Sequence, residues 1–155
     1  MKTERVRVMD GPIPAGIWER TDMEPNLVTA PEHMAVMREL IQREPLFHRE
    51  EFGTTRKDFE QMTAPEFWEV SASGRRFSRK FVLDTLDERY QKPTHDIWEI
   101  GDFYCVQIAA ENYLVTYTLL QGERITRRAT IWRRTSKGWQ IVYHQGTVVA
   151  QNSSS

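Results

Sequence analysis

Apolar residues return at spacings of three and four after Pro31. Met34, Met37, Leu40 and Ile41 fall on one stripe of a helix predicted from Pro31 to Glu44. Thr29 and Glu32 form a capping-box pattern ahead of that stripe, Pro31 suits a first turn, and Pro45 ends the helix. A second short helix is predicted from Arg56 to Met62, capped by Thr54 or Thr55 and packing through Phe59 and Met62. Phe67 to Ala72 then reads as a strand turned by Ser73-Gly74. A third helix follows, capped by Ser78, with Phe81, Val82, Thr85 and Leu86 on one face.

From Trp98 the period changes to two. Asp102–Ala109, Tyr113–Leu120, Ile125–Arg134 and Trp139–Val149 are rich in β-branched and aromatic residues, with short polar turns between them. Such links favour an antiparallel meander, and helices followed by a run of strands make an α+β domain. Tyr113, Val115, Tyr117 and Leu119 oppose Leu114, Thr116, Thr118 and Leu120, so neither face of that strand is purely polar. In the last strand, Trp139, Ile141 and Tyr143 oppose Val142 and Val148. Three helices can cover one face of the sheet; a second copy of the chain is the simplest cover for the other, which predicts a homodimer.

At 155 residues the chain suits one domain, divided here into an extension over 1–26, a body over 27–150 and a polar tail over 151–155. Gly11, Pro12, Pro14, Gly16 and Pro25 keep regular structure in the extension short, while Ile17 and Trp18 can anchor it. With 21 basic and 22 acidic residues the formal net charge is −1, which argues against binding nucleic acid through bulk charge. The lone Cys105 cannot pair within the chain and reads as a buried structural thiol in a reducing compartment. No stretch is apolar enough to span a bilayer, and Met1–Val8 carries charge where a secretory signal would be apolar. The expectation is a cytoplasmic protein with no membrane association.

Three stretches carry a family resemblance: Pro65–Arg75, Arg128–Arg134, and Gly138–Thr147 with its ending Trp-x-x-x-Tyr-His-Gln-Gly-Thr. Together they resemble the nuclear-transport-factor-2-like superfamily over about residues 32–149. The nearest branch is one known only as a domain of unknown function, related to the SnoaL-like proteins. The resemblance implies a cone-shaped α+β barrel, a curved antiparallel sheet wrapped around N-terminal helices, with a pocket at its open end. Its relatives include isomerases, cyclases and dehydratases as well as adaptors and immunity proteins, so the fold does not choose between enzyme and binding module.

Glu69 shares a strand face with Phe67 and Ser71, where an unpartnered carboxylate is costly to ionise and its pKa should rise. It reads as a general base or polar anchor, and the resemblance places it in the pocket lining. His144 lies near the end of the last long strand, suited to shuttle protons, to bond Glu69 across the pocket, or to sit as a satisfied core histidine. Beside it, Gly146 permits a close backbone approach. Trp132, Thr130 and Arg128 share a face, and with Tyr117 on the next strand they suit either an aromatic wall for a flat or cyclic, largely apolar ligand or ordinary core packing. Glu69, Tyr117, Trp132 and His144 are therefore the candidate ligand-binding residues, with Glu69 and His144 the candidate catalytic ones.

Isomerase relatives pair a Tyr with a protonated acid, but the first helix holds no Tyr, and Asp102, the available acid, reads as a strand-start residue. His33, His48, His95 and His144 are too dispersed for a metal site, and no glycine-rich phosphate loop or nucleophile elbow occurs, so neither metal nor cofactor is expected. Arg124, Arg127, Arg128, Arg133, Arg134 and Lys137 form a basic stretch that reads as solvent-facing charge. Two function classes follow. One is a small-molecule pocket protein, extending to a cofactor-free acid–base enzyme; the other is a non-catalytic module that presents the arginine strand to an acidic protein partner.

Overall fold

The computed structural model describes residues 6–13, 23–89 and 97–150. Ile17, Trp18, His95 and the tail over 151–155, all invoked above, lie outside the described residues. In chain order the elements are β1 (Val6–Val8), α1 (Met34–Ile41), α2 (Arg56–Met62), β2 (Thr63–Val70), β3 (Arg76–Ser78), α3 (Arg79–Arg89), β4 (Trp98–Ala109), β5 (Asn112–Gln121), β6 (Arg124–Thr135) and β7 (Gly138–Val148).

The alternating second half forms the antiparallel meander its period predicts, β4 to β7, and the sheet extends at both ends to the order β1-β4-β5-β6-β7-β2-β3. The sheet is mixed rather than wholly antiparallel: β1 runs parallel to β4, and β2 parallel to β7. Both parallel partners lie far apart in sequence, joined by the long crossings that parallel pairing requires. Register shifts in β2, β4 and between β6 and β7 add twist, and the unclosed sheet curls around its inner face. That face buries Val115, Tyr117 and Leu119 of β5 against Leu40 of α1, Phe59 of α2 and Leu83 and Leu86 of α3. Val6–Val8 of the expected extension thus belongs to the sheet.

Several local expectations change on packing. The chain enters α1 through a 3-10 turn, Pro31–His33, whose N-cap is Ala30 without a side-chain cap. The Thr29 hydroxyl instead accepts the Cys105 backbone N–H at 3.1 Å and donates to Met37 Sδ at 3.2 Å. A buried strand amide is costlier to leave unpaired than an exposed helix N–H, and Thr29 goes to the amide. Thr55 does cap α2, in a full capping box with Asp58, and the Phe81 N–H donates to Ser78 Oγ at the start of α3. Phe81 itself is 51% exposed and stacks on Phe77, so α3 turns Val82, Leu83 and Leu86 inward instead.

Two bulges re-aim side chains. Asp102 is not at a strand start: it lies inside β4 with φ 56°, where the register jumps from Gly101 to Tyr104. Its carboxylate accepts from Thr118 Oγ1 at 2.8 Å and pairs with Arg127 at 3.2 Å, among residues facing away from the inner core. In β7 the register slips between Ile141 and Tyr143, which separates Tyr143 from Trp139 and Ile141 and turns His144 inward with them. No described helix is long and apolar enough to cross a membrane.

Candidate functional site

The strand register brings the polar inner residues together in two neighbouring rows. Tyr117 pairs with Arg128, which pairs with Gly146; Val115 pairs with Thr130, Thr130 with His144, and His144 with Glu69 of β2. This wall backs a cavity of about 270 Å³, closed by α3 and by the loop from Pro45 to His48. Glu69, Tyr117, Arg128 and His144 all line it.

Behind the wall lies a residue the periodicity concealed. Glu44 is 0% exposed. It follows Leu40 by four, so it continues the buried stripe of α1 past the helix end, which comes at Ile41 rather than Glu44. Arg49 holds that exit by donating to the Glu44 carbonyl at 2.7 Å and to the Ile41 carbonyl at 3.2 Å. The stripe reading stops at an ionisable residue; a charge at the next inward position was the available signal.

Glu44 anchors a chain of hydrogen bonds. Tyr117 Oη donates to Glu44 Oε1 at 3.3 Å and Thr130 Oγ1 donates to Oε2 at 2.7 Å. Thr130 Oγ1 also lies 2.8 Å from His144 Nδ1, and His144 Nε2 lies 3.4 Å from Arg128 Nη1. A guanidinium only donates, so Nε2 is the accepting nitrogen; Nδ1 then carries the proton and donates to Thr130, whose own hydrogen is spent on Glu44. The network thus assigns both the tautomer and the hydroxyl direction.

The electrostatics follow from burial. Burial pushes the Glu44 carboxyl up to about 7, against the pull of the Thr130, Tyr117 and Trp132 donors and of the Arg128 charge. Burial, with Arg128 beside it, brings the His144 imidazole down to about 3, which keeps it neutral at ordinary pH. Burial and the neighbouring Glu44 charge hold the Tyr117 phenol well above its ordinary value. Glu69 is raised by burial, with Arg128 and Arg89 opposing, as expected for a carboxylate in that position.

Not every candidate meets at the cavity. Trp132 is 2% exposed and sits beyond the wall, beside a small gap with Met62 and Ile141. Its indole N–H favours the Glu44 anion, yet it has no partner in hydrogen-bonding geometry. His144 does not bond Glu69: the two are register partners, but both imidazole nitrogens are engaged elsewhere. The buried acid beside a Tyr is Glu44, from the end of α1, not Asp102, and its Tyr comes from β5. Cys105 is buried, which pushes its thiol up to about 11. No metal-binding group of three His, Cys, Asp or Glu side chains occurs among the described residues.

No family model matches the sequence, and no curated protein matches it. Solved structures do. A protein from Streptomyces avermitilis, provisionally assigned as a dehydratase of the nuclear-transport-factor-2-like family, aligns with TM-score 0.60 and 14% identity over 76% of this chain and 99% of its own. A nuclear-transport-factor-2-like protein of unknown function in nutrient uptake from Rhodospirillum rubrum aligns with TM-score 0.55 and 18% identity over 76% and 98%. An uncharacterised protein with a cystatin-like fold from Caulobacter vibrioides aligns with TM-score 0.59 and 15% identity over 77% and 91%. The curved mixed sheet, the helices on its inner face and these alignments give one result: the chain has the nuclear-transport-factor-2-like fold.

Proposed function

We propose that this protein binds a small carbonyl compound in the cavity and moves a proton on it without a cofactor. The observation that carries this reading is the hydrogen-bonded path from a buried carboxylate, Glu44, through Thr130 to His144 on the cavity wall. Neutral His144 is a poor base alone, because an imidazolium would form beside Arg128 in a buried site. The path removes that obstacle. A proton taken at Nε2 is matched by one passed from Nδ1 to Thr130 and from the Thr130 hydroxyl to Glu44, so no imidazolium remains and Glu44 ends neutral. Glu69 and Tyr117 line the same cavity and orient the ligand, while Trp132 supports Glu44 from behind.

The alternative, an acidic protein partner on the arginine strand, draws less support. Arg133 pairs with Glu66 at 2.7 Å, Arg134 with Glu39 at 3.4 Å and Arg127 with Asp102 at 3.2 Å, so those charges already have partners within the chain. We also propose a homodimer through the outer face of the sheet. There Trp68 is 43% exposed and packs on Tyr143, with Ile108 51% exposed on the same sheet.

Native mass spectrometry of the protein as purified, compared with its denatured mass, tests both readings. A dimer carrying extra mass that leaves on denaturation is the expected result, and a monomer at micromolar concentration overturns the dimer. Glu69→Gln and His144→Gln are each expected to lower the retained mass, and His144→Gln to stop deuterium exchange into enolisable carbonyl compounds in heavy water. If both variants keep the ligand and the exchange rate of the parent, the proton-transfer reading falls.

A further inference from the structure

Arg56, Arg127, Arg133 and Arg134 each pair with a carboxylate. Arg56 has Asp84 at 2.7 Å, Arg127 has Asp102 at 3.2 Å, and Arg133 has Glu66 at 2.7 Å. Those three side chains are each more than a third exposed, where pairing matters least. Arg128 is the reverse. It reaches into the cavity, yet its contacts are Nε to Thr126 Oγ1 at 2.9 Å and Nη1 to His144 Nε2 at 3.4 Å. No carboxylate lies within 4 Å of it among the described residues, and Nη2 has no partner among them.

The backbone is shaped around this side chain. Gly146 lies opposite Arg128 in the register, and a Cβ there would sit 3.2 Å from Cζ, Nε and Nη1. Glycine lets the guanidinium lie this close over β7, where a Cβ would make it give way by a few tenths of an ångström. Arg89 and Arg124 line the same cavity but are exposed, so solvent screens their charge; Arg128 is the partly buried guanidinium among the three. Three guanidinium groups therefore face one lining carboxylate, Glu69, and a guanidinium does not shed its charge by deprotonating.

We infer that the cavity receives an anion, a small carboxylate compound whose carboxylate group lies against the Arg128 guanidinium. The inference rests on reading the cavity as a ligand site and names the class of its ligand, which the aromatic residues alone had suggested would be largely apolar. A planar guanidinium edge matches the two oxygens of a carboxylate, which favours this group over a lone hydrogen-bonding carbonyl. About 270 Å³ lies just under the range common for drug-sized ligands, which suits a compound of benzoate size and not a steroid. A carboxylate on Arg128 would also draw the guanidinium away from His144 Nε2, freeing that nitrogen to take a proton from the same ligand.

The test is a titration of the full chain with benzoate, benzamide and inorganic phosphate, followed through the imidazole nitrogen signals of His144. Benzoate is expected to bind about tenfold or more tighter than its neutral isostere benzamide, and tighter than phosphate. Arg128→Gln should erase the benzoate preference, and Arg128→Lys should restore part of it. The wild-type comparison stands even if the variants fold poorly. Equal affinity for benzoate and benzamide overturns the anionic class while the cavity reading survives. Phosphate binding as tightly as benzoate overturns the carboxylate. No response to any of the three overturns both.

Discussion

Replacing Glu44 with glutamine should leave the protein folded, stop proton transfer at His144 and change how stability depends on pH. Glu44 has its carboxyl raised to about 7 in the folded protein, from 4.5 in its ordinary state. The folded protein therefore holds this proton more tightly than the unfolded chain does. The stabilisation is fully present below about 4.5 and is lost as pH rises to about 7. At roughly 1.4 kcal/mol per pH unit, that loss amounts to about 3 kcal/mol. His144 acts in the opposite sense: its depressed pKa gives stability that is present above about 6.5 and lost as pH falls toward about 3. In the native protein the two oppose each other across the acid range, and Glu44→Gln removes only one. Urea denaturation at pH 5 and pH 8 should show the variant gaining about 3 kcal/mol relative to the parent at the higher pH. A difference that stays constant with pH would show that Glu44 does not titrate as its burial implies. The same substitution need not disturb the tautomer: the carboxamide oxygen can take the Thr130 hydroxyl and its N–H can turn to Tyr117 Oη, while Arg128 keeps Nε2 accepting. Nitrogen chemical shifts of the imidazole should therefore show the parent tautomer retained.

Trp132→Ala should be the most destabilising single change among the candidate residues. The side chain is among the largest fully buried ones, and a truncation of this kind typically costs about 3–5 kcal/mol. Against a total of roughly 5–15 kcal/mol for a domain, that is a large share, visible as a lowered urea midpoint. The gentler Trp132→Phe separates packing from binding. It keeps most of the buried area, and since Trp132 is absent from the cavity wall, ligand retention should not change. It does remove the indole N–H that favours the Glu44 anion, so the Glu44 midpoint should move further upward. Loss of ligand in Trp132→Phe with an unmoved Glu44 midpoint would return this residue to the cavity lining.

The features readable along the chain were those set by neighbours in sequence. The meander from β4 to β7 follows from period-two alternation and two-residue turns. The caps at Thr55 and Ser78 follow from side chains reaching an N–H three residues away. The wall of Tyr117, Arg128 and Thr130 follows from strand parity, which holds while the register is unbroken.

Parity failed between Ile141 and Tyr143, and the strand-start reading failed at Asp102, because the one extra residue of a bulge exchanges the faces without marking its position in the sequence. Glu44 was hidden for a different reason. Its partner Thr130 is 86 residues away, and a carboxylate can be buried only when such distant donors converge on it. Arg127 and Arg128 make the same point side by side: adjacent in sequence and alike in chemistry, one meets Asp102 and the other faces the cavity. The sequence by itself determined the three helices and the four strands of the meander, but not β1 or β3. Only the tertiary structure decided which charges are neutralised and which are left facing the cavity, since charge pairing depends on distances that sequence order does not contain.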